Sequence, residues 1–287
     1  MRRFEHRRYR PVRMASLVLA LVVTGCSALA GQATGELGRM QSLSSGCPGQ
    51  PLLTEVDKDV SGSQNDPAIE VATLVVVRSL VEESVACAAQ TSRGHLTVRL
   101  FATNASQTAT LLDTDIVVDG ATDIARQRRV VREQLAERLF EQVTSGYADA
   151  VAALPRNGSD VLARFALAGE AERQLEQMTG SDWALQLVVL TDGFSSTPTG
   201  LSKVTAAVDA EELAARTRTN APPGLESAWR VSLVGVGRSA GNTQPDSSRI
   251  EAVKAFWRDY LAGVAERVTV ATDFPGALAA ITASEGR

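Results

Sequence analysis

Histidine is almost absent from this chain: of 287 residues only His6 and His95 are histidines. That scarcity weakens one apparent catalytic signal. Gly237-x-Ser239-x-Gly241 follows a strand-like run and matches the nucleophile elbow of α/β-hydrolases, which needs a histidine later in the chain. Neither histidine follows Ser239, so no base is supplied in that order and the glycines read as a loop. Aromatic residues make up only 5% of the chain, so Trp183, Trp229 and Trp257 read as core or boundary packing rather than a stacking platform for ligands. Gly235-x-Gly237-x-x-Ala240 loosely fits a dinucleotide fingerprint, but it follows a late strand and runs into Asn242-Thr243-Gln244-Pro245 instead of a helix.

Long apolar runs are also missing from the beginning of the chain. Six arginines (Arg2, Arg3, Arg7, Arg8, Arg10, Arg13) precede a nine-residue apolar stretch from Ala15 to Val23. A spanning helix needs about 20 such residues, so this reads as a secretory signal. Val23-Thr24-Gly25-Cys26 then resembles the lipobox of bacterial lipoproteins. That resemblance implies cleavage after residue 25, acylation of Cys26, and anchoring to a bilayer without a transmembrane helix. The protein is thus expected to be exported and held on the outer, non-cytoplasmic side of a bacterial membrane. Loss of residues 1–25 removes six arginines and one glutamate, leaving 23 basic against 32 acidic residues and a net charge of −9. Such a balance disfavours nucleic acid as a partner.

Cysteine is scarce too. After Cys26 only Cys47 and Cys87 remain, and an exported chain with two cysteines can pair them. The helix that follows the first strand must run back antiparallel to it, bringing Cys87 near the strand's start, just after Cys47. A Cys47–Cys87 disulfide is therefore predicted.

Residues 26–50 are rich in Gly, Ser, Ala and Gln without apolar periodicity, the composition of a tether. One domain is expected over 51–287, with 44% hydrophobic residues in the chain to fill its core. Strand-like runs at 52–58, 96–102, 109–118, 185–191, 230–236 and 267–271 alternate with helical patterns. The helices are predicted at 67–90, 123–154 with a break near Gly146, 160–178, 209–218 and 247–264, with a short one after Pro275. The pattern predicts an α/β fold: a doubly wound, mostly parallel six-stranded sheet in the order 3-2-1-4-5-6, helices on both faces. The short link at 103–108 makes the second and third strands an antiparallel pair at one edge.

The first strand runs into Asp59-Val60-Ser61-Gly62-Ser63, and the fourth into Thr191-Asp192-Gly193, while Gly158-Ser159-Asp160 opens the intervening helix. In the predicted strand order the first and fourth strands are neighbours, so their outgoing turns share a crevice. Carboxylates and hydroxyls are what a hard divalent cation requires. Asp59-x-Ser61-x-Ser63, Ser159 and Thr191-Asp192-Gly193 together resemble the metal-ion-dependent adhesion site of von Willebrand factor A domains. The resemblance implies that Ser61 and Ser63 touch the metal, that Ser159 stands where Thr is usual, and that Asp59 and Asp192 act mostly through water. It further implies Mg2+ (or Mn2+ or Ca2+) as cofactor and a protein partner that lends an acidic group to the metal, with no catalytic residues. The first strand departs from the family, because Glu55, Asp57 and Lys58 stand where buried apolar residues are usual. An enzymatic alternative rests on Asp57-Lys58-Asp59-Val60-Ser61, which resembles the Asp-x-Asp-x-Thr motif of haloacid dehalogenase-type phosphatases with Asp57 as nucleophile. A structural lipoprotein with a vestigial metal site is the remaining reading.

Overall fold

A computed structural model describes residues 46–104, 107–118, 125–195, 201–240 and 245–276. The signal segment 1–25, Cys26 and the tether as far as residue 45 lie outside the described residues, as does all but the start of the helix expected after Pro275. Among the described residues no helix is long and apolar enough to cross a membrane.

Six strands form a single sheet: β1 (Leu52–Asp59), β2 (Arg93–Phe101), β3 (Thr108–Val117), β4 (Ala184–Leu190), β5 (Ala228–Val234) and β6 (Ala265–Ala271). Their spatial order is β3-β2-β1-β4-β5-β6, with β2 and β3 antiparallel and every other pair parallel. This is the doubly wound α/β fold the sequence pattern predicts. Among the described residues five long helices surround it: α1 (Pro67–Thr91), α2 (Ala125–Ala153), α3 (Val161–Thr179), α4 (Ala207–Asn220) and α5 (Ser247–Tyr260).

Strand parity assigns the two faces. Leu185, Leu187 and Val189 of β4 join Phe165 of α3, Ala214 of α4 and Phe256 of α5 in one core. Val188 and Leu190 join Val77 and Leu80 of α1 and Leu139 of α2 in the other. β4, buried on both faces, is apolar at every position except Gln186 (Ala-Leu-Gln-Leu-Val-Val-Leu), whose amide donates to Glu83.

Helix ends follow capping chemistry. Asp66 accepts from Ala68 N–H at 2.8 Å and stands before Pro67, and Asp160 accepts from Ala163 N–H at 3.2 Å. Two boundaries differ from expectation. The break foreseen near Gly146 does not occur: α2 is continuous, and one glycine between long helical flanks costs only about 1 kcal/mol relative to Ala. α5 stops at Tyr260 rather than 264, because Gly263 turns the chain at φ 76° into β6.

The folded part also reaches further towards the N-terminus than Pro51. Cys47 and Cys87 form a disulfide beside Leu52, Ala184 and Trp229, and Arg230 Nη2 donates to Gly46 O at 3.2 Å. The bridge closes a loop 40 residues apart in sequence. Constraining such a loop in the unfolded chain stabilises the fold by about 3–4 kcal/mol. Replacing both cysteines by serine is expected to lower the urea-unfolding free energy by about that amount. An unchanged midpoint would remove the bridge from the account.

β1 is central, yet Glu55, Asp57, Lys58 and Asp59 are all at least 97% buried. Glu55, Lys58 and Asp59 have hydrogen-bonding partners, whereas both Asp57 oxygens have none among the described residues and feel Arg164 and Arg99 only through their charge. Arg99 grips Glu55 with both guanidinium nitrogens, at 2.9 and 3.2 Å. Even so, burial outweighs Arg99 and pushes the Glu55 carboxyl up to about 7. Burial likewise raises the Asp57 carboxyl, against the pull of Arg164 and Arg99. Arg164 is itself fully buried and lies over the Phe101 ring at 5.1 Å. The charges that depart from an apolar strand are thus answered by the Glu55–Arg99 pair and by the nearby charge of Arg164.

A carboxylate on α3 supplies a pH handle on stability. Burial, followed by the nearby charge of Glu176, raises Glu172 from 4.5 to about 7. A carboxyl whose pKa is higher in the folded state binds more protons folded than unfolded between these values. Its contribution to stability is therefore greatest below 4.5 and declines as pH rises to about 7. The stability of the wild type minus that of Glu172→Gln should fall between pH 4.5 and 7 in denaturant titrations; a difference independent of pH would contradict this.

Candidate metal centre

β1 and β4 pair in register up to Lys58 opposite Leu190, so Asp59 and Thr191 leave the sheet side by side. Thr191 Oγ1 donates to Asp59 Oδ2 at 2.8 Å, and Ser61 N–H donates to Asp59 Oδ1 at 2.8 Å. One carboxylate therefore ties the turn after β1 to the turn after β4. The single helical turn Gly62–Gln64 then carries Ser63 back, and the Ser61 and Ser63 hydroxyl oxygens lie 3.0 Å apart.

Asp192 closes the cluster. It is 98% buried, accepts from Phe194 N–H at 2.9 Å, and is hydrogen-bonded to the Ser63 side chain. Burial, and next the charge of Asp59, push its carboxyl up to about 6, while Ser63, Phe194 and Lys58 pull the other way. Two carboxylates held close enough to repel across a buried cleft leave negative potential that a cation would neutralise.

The surrounding loops fix these groups. Gly193 turns at φ 78°, its N–H donates to Thr191 Oγ1 at 3.1 Å, and its carbonyl accepts from Trp257 Nε1 at 2.9 Å. A Cβ at Gly193 would stand 3.0 Å from that indole nitrogen, so the close approach of α5 requires glycine. From the loop after β5, Gly237 N–H donates to Asp192 O at 2.8 Å, and Ala240 N–H donates to Ser63 O at 2.6 Å. Gln64 Nε2 donates to Arg238 O at 3.0 Å.

The residues before α3 join the same rim. Gly62 N–H donates to Arg156 O at 2.8 Å, Ser159 Oγ donates to Phe194 O at 3.2 Å, and Ser195 Oγ donates to Ser159 O at 3.4 Å. The structure thus gathers Asp59, Ser61, Ser63 and Asp192 through direct contacts. Ser159 is brought to the adjoining loop, where its hydroxyl braces Phe194.

Sequence reasoning missed Lys58 as part of this cluster. Its ammonium is 97% buried and donates to Asp59 O at 2.6 Å and to Gln64 Oε1 at 3.2 Å. Burial lowers it to about 8, against the charges of Asp59 and Asp192. The signal was present, since a lysine beside the motif's aspartate in a central strand needs a buried partner. Thr191 was also overlooked as a partner of Asp59, although it belongs to the recognised Thr-Asp-Gly.

Chemically the donors gathered here are two carboxylates and the hydroxyls of Ser61 and Ser63, all of them hard oxygens. That set fits Mg2+, Mn2+ or Ca2+ and not the softer ions that select His and Cys. Among the described residues no group of three or more His, Cys, Asp or Glu is placed to hold a metal ion. A cation here would rely on hydroxyls and water beside its two carboxylates.

Other motifs lie apart from this chemistry. Asp57, the nucleophile of the phosphatase reading, is 1% exposed inside the sheet. His95 sits on β2 between Asp113 and Asp115, each at 2.8 Å, away from Ser239 in the loop after β5.

No protein-family model matches the chain. A curated protein, the probable non-canonical nonribosomal peptide synthetase CymA of Salinispora arenicola (strain CNS-205), is 35% identical over 121 residues, which is 39% of this chain and 2% of that protein. Among solved structures, the pilus adhesin SpaC from Lactobacillus rhamnosus GG, in its open conformation, is similar with a TM-score of 0.41 and 11% identity, covering 81% of this chain and 29% of that one. Proximal thread matrix protein 1 from the mussel byssus gives a TM-score of 0.36 and 9% identity, covering 81% of this chain and 46% of that one. The chain therefore spans 2% of the length of the curated relative and less than half of each solved structure.

Proposed function

We propose that this chain is a membrane-anchored binding module resembling a von Willebrand factor A domain, which holds a divalent cation and through it engages an acidic group on a protein partner. The observation that carries the reading is the meeting of Asp59, Ser61, Ser63 and Asp192 at the ends of β1 and β4. Ser61 and Ser63 would hold Mg2+ (or Mn2+ or Ca2+) directly, and Asp59 and Asp192 would supply the negative charge, largely through water. Ser159 would stabilise the neighbouring loop. When bound, the ion supplies an electrophilic site for a carboxylate. Arg238, stacked on Phe274 at 5.7 Å, and Arg249, stacked on Phe194 at 4.9 Å, belong to loops and helix starts at the same end of the sheet and would favour an acidic surface.

In this reading the protein is not an enzyme. It is exported and tethered by acylated Cys26 to the outer side of a bacterial cell membrane, and nucleic acid is not a partner. Immobilised protein should retain a partner in Mg2+ and release it in EDTA, and Asp59→Ala protein should retain none. Retention that is indifferent to both changes would refute metal-bridged recognition. Metal-dependent hydrolysis of a generic phosphate ester would favour the phosphatase reading instead.

A further inference from the structure

Lys58 introduces a positive charge into a cluster whose other ionisable groups are both carboxylates. Its ammonium spans the turn after β1, holding the Asp59 carbonyl on one side and the Gln64 amide oxygen on the other. Gln64 in turn donates to Arg238 O, so the same side chain links β1, the Gly62–Gln64 turn and the loop after β5. The turn after β1 and the loop after β5 are thereby joined, through Gln64, by a group other than a metal ion.

Charge counting gives this placement a consequence. Two ionised carboxylates and one ammonium carry a net charge of −1, where the carboxylates alone carry −2. A divalent ion then takes the cluster to +1 and not to neutrality. The lysine repels the incoming ion, supports the loops in its absence, and leaves the loaded site with surplus positive charge for an acidic ligand.

We propose that Lys58 is a built-in counter-ion of the metal site, which holds the loops together without metal and lowers the affinity for divalent cations. The proposal rests on the metal-binding reading above. It is not a titration argument, because replacement by a neutral side chain tests it at fixed pH.

The experiment compares wild type, Lys58→Met, Lys58→Gln and Lys58→Arg at pH 7, by calorimetric titration with MgCl2 and by thermal melting in EDTA and in Mg2+. Removing a like charge from beside a partly buried divalent ion should tighten Mg2+ binding at least about tenfold in Lys58→Met and Lys58→Gln. Both neutral variants should melt lower than wild type in EDTA and gain more from Mg2+. Lys58→Arg, which keeps the charge, should bind Mg2+ as wild type does. Should Lys58→Met unfold in EDTA, its recovery in Mg2+ supports the proposal, and failure to recover leaves the decision to Lys58→Gln.

Wild type that ignores Mg2+ while a neutral variant binds it also supports the proposal. Equal or weaker binding by both neutral variants, with wild type binding normally, overturns it and spares the metal site. Absence of Mg2+ binding in wild type and all variants overturns both readings.

Discussion

Asp59→Ala protein is expected to lose Mg2+ binding by a factor of about 100 or more, because Asp59 both charges the cluster and ties its two turns together. The carboxylate accepts from Thr191 and from Ser61 N–H, so its removal frees the turn after β1 from the turn after β4. Leaving those buried donors without an acceptor costs about 1–3 kcal/mol. Relief of repulsion with Asp192 offsets part of that cost, and the Asp192 carboxyl should return towards its ordinary range. The variant should therefore remain folded while its binding is lost. Asp59→Asn, which keeps an acceptor at the same place, should be the more stable of the two and equally poor at binding Mg2+. Calorimetry together with urea unfolding distinguishes these effects. Retention of Mg2+ affinity in either variant would show that the cation, if it binds, does so elsewhere.

The largest expected effect on stability lies away from the metal centre. Arg230 on β5 is 98% buried and donates to Glu83 on α1 at 2.8 Å, while Gln186 on β4 donates to the other oxygen at 2.9 Å. Arg230 also lies over the Trp229 ring at 3.7 Å and reaches Gly46 O. Burial already pushes the Glu83 carboxyl up, and Arg230 is the chief group that holds it down. Arg230→Met strands that carboxyl in the core and should cost about 3–5 kcal/mol in denaturant unfolding. Glu83→Met combined with Arg230→Met should recover most of the loss, since a well-packed apolar pair of similar volume can replace a buried ion pair. Mg2+ affinity should be unchanged in both. If the double variant is no more stable than the single one, packing and not charge dictates the cost.

How much of this was legible in the sequence varies by element, for physical reasons. Residues 184–190 declare a strand buried on both faces because a run apolar at all positions but Gln186 has few other uses at that length. The antiparallel edge followed from the short link after β2, and the parallel pairs from the helices in the other crossovers. The meeting of these oxygen groups was readable because Asp59, Ser61 and Ser63 fall within five residues and Asp192 follows an apolar strand. β1 was harder to read. Glu55, Asp57 and Lys58 argue against a central strand until Arg99, Arg164 and Gln64 are seen beside them, and two of those three are more than 40 residues away in sequence.

The role of Lys58 was hidden for the same reason, since local pattern shows a charge but not what answers it. Helix length was obscured by Gly146, which sequence reads as punctuation although apolar packing on both sides of it, Leu139 and Val143 before and Tyr147, Ala150 and Val151 after, carries the helix through.

The central claim is that the ends of β1 and β4 together hold a divalent cation. Its most direct test is calorimetric titration of MgCl2 into chelator-treated, non-reduced protein. The account predicts saturable binding of one ion per chain, lost in Asp59→Ala. An absence of binding heat across a range of temperatures, with no Mg2+-dependent shift in melting, would contradict it.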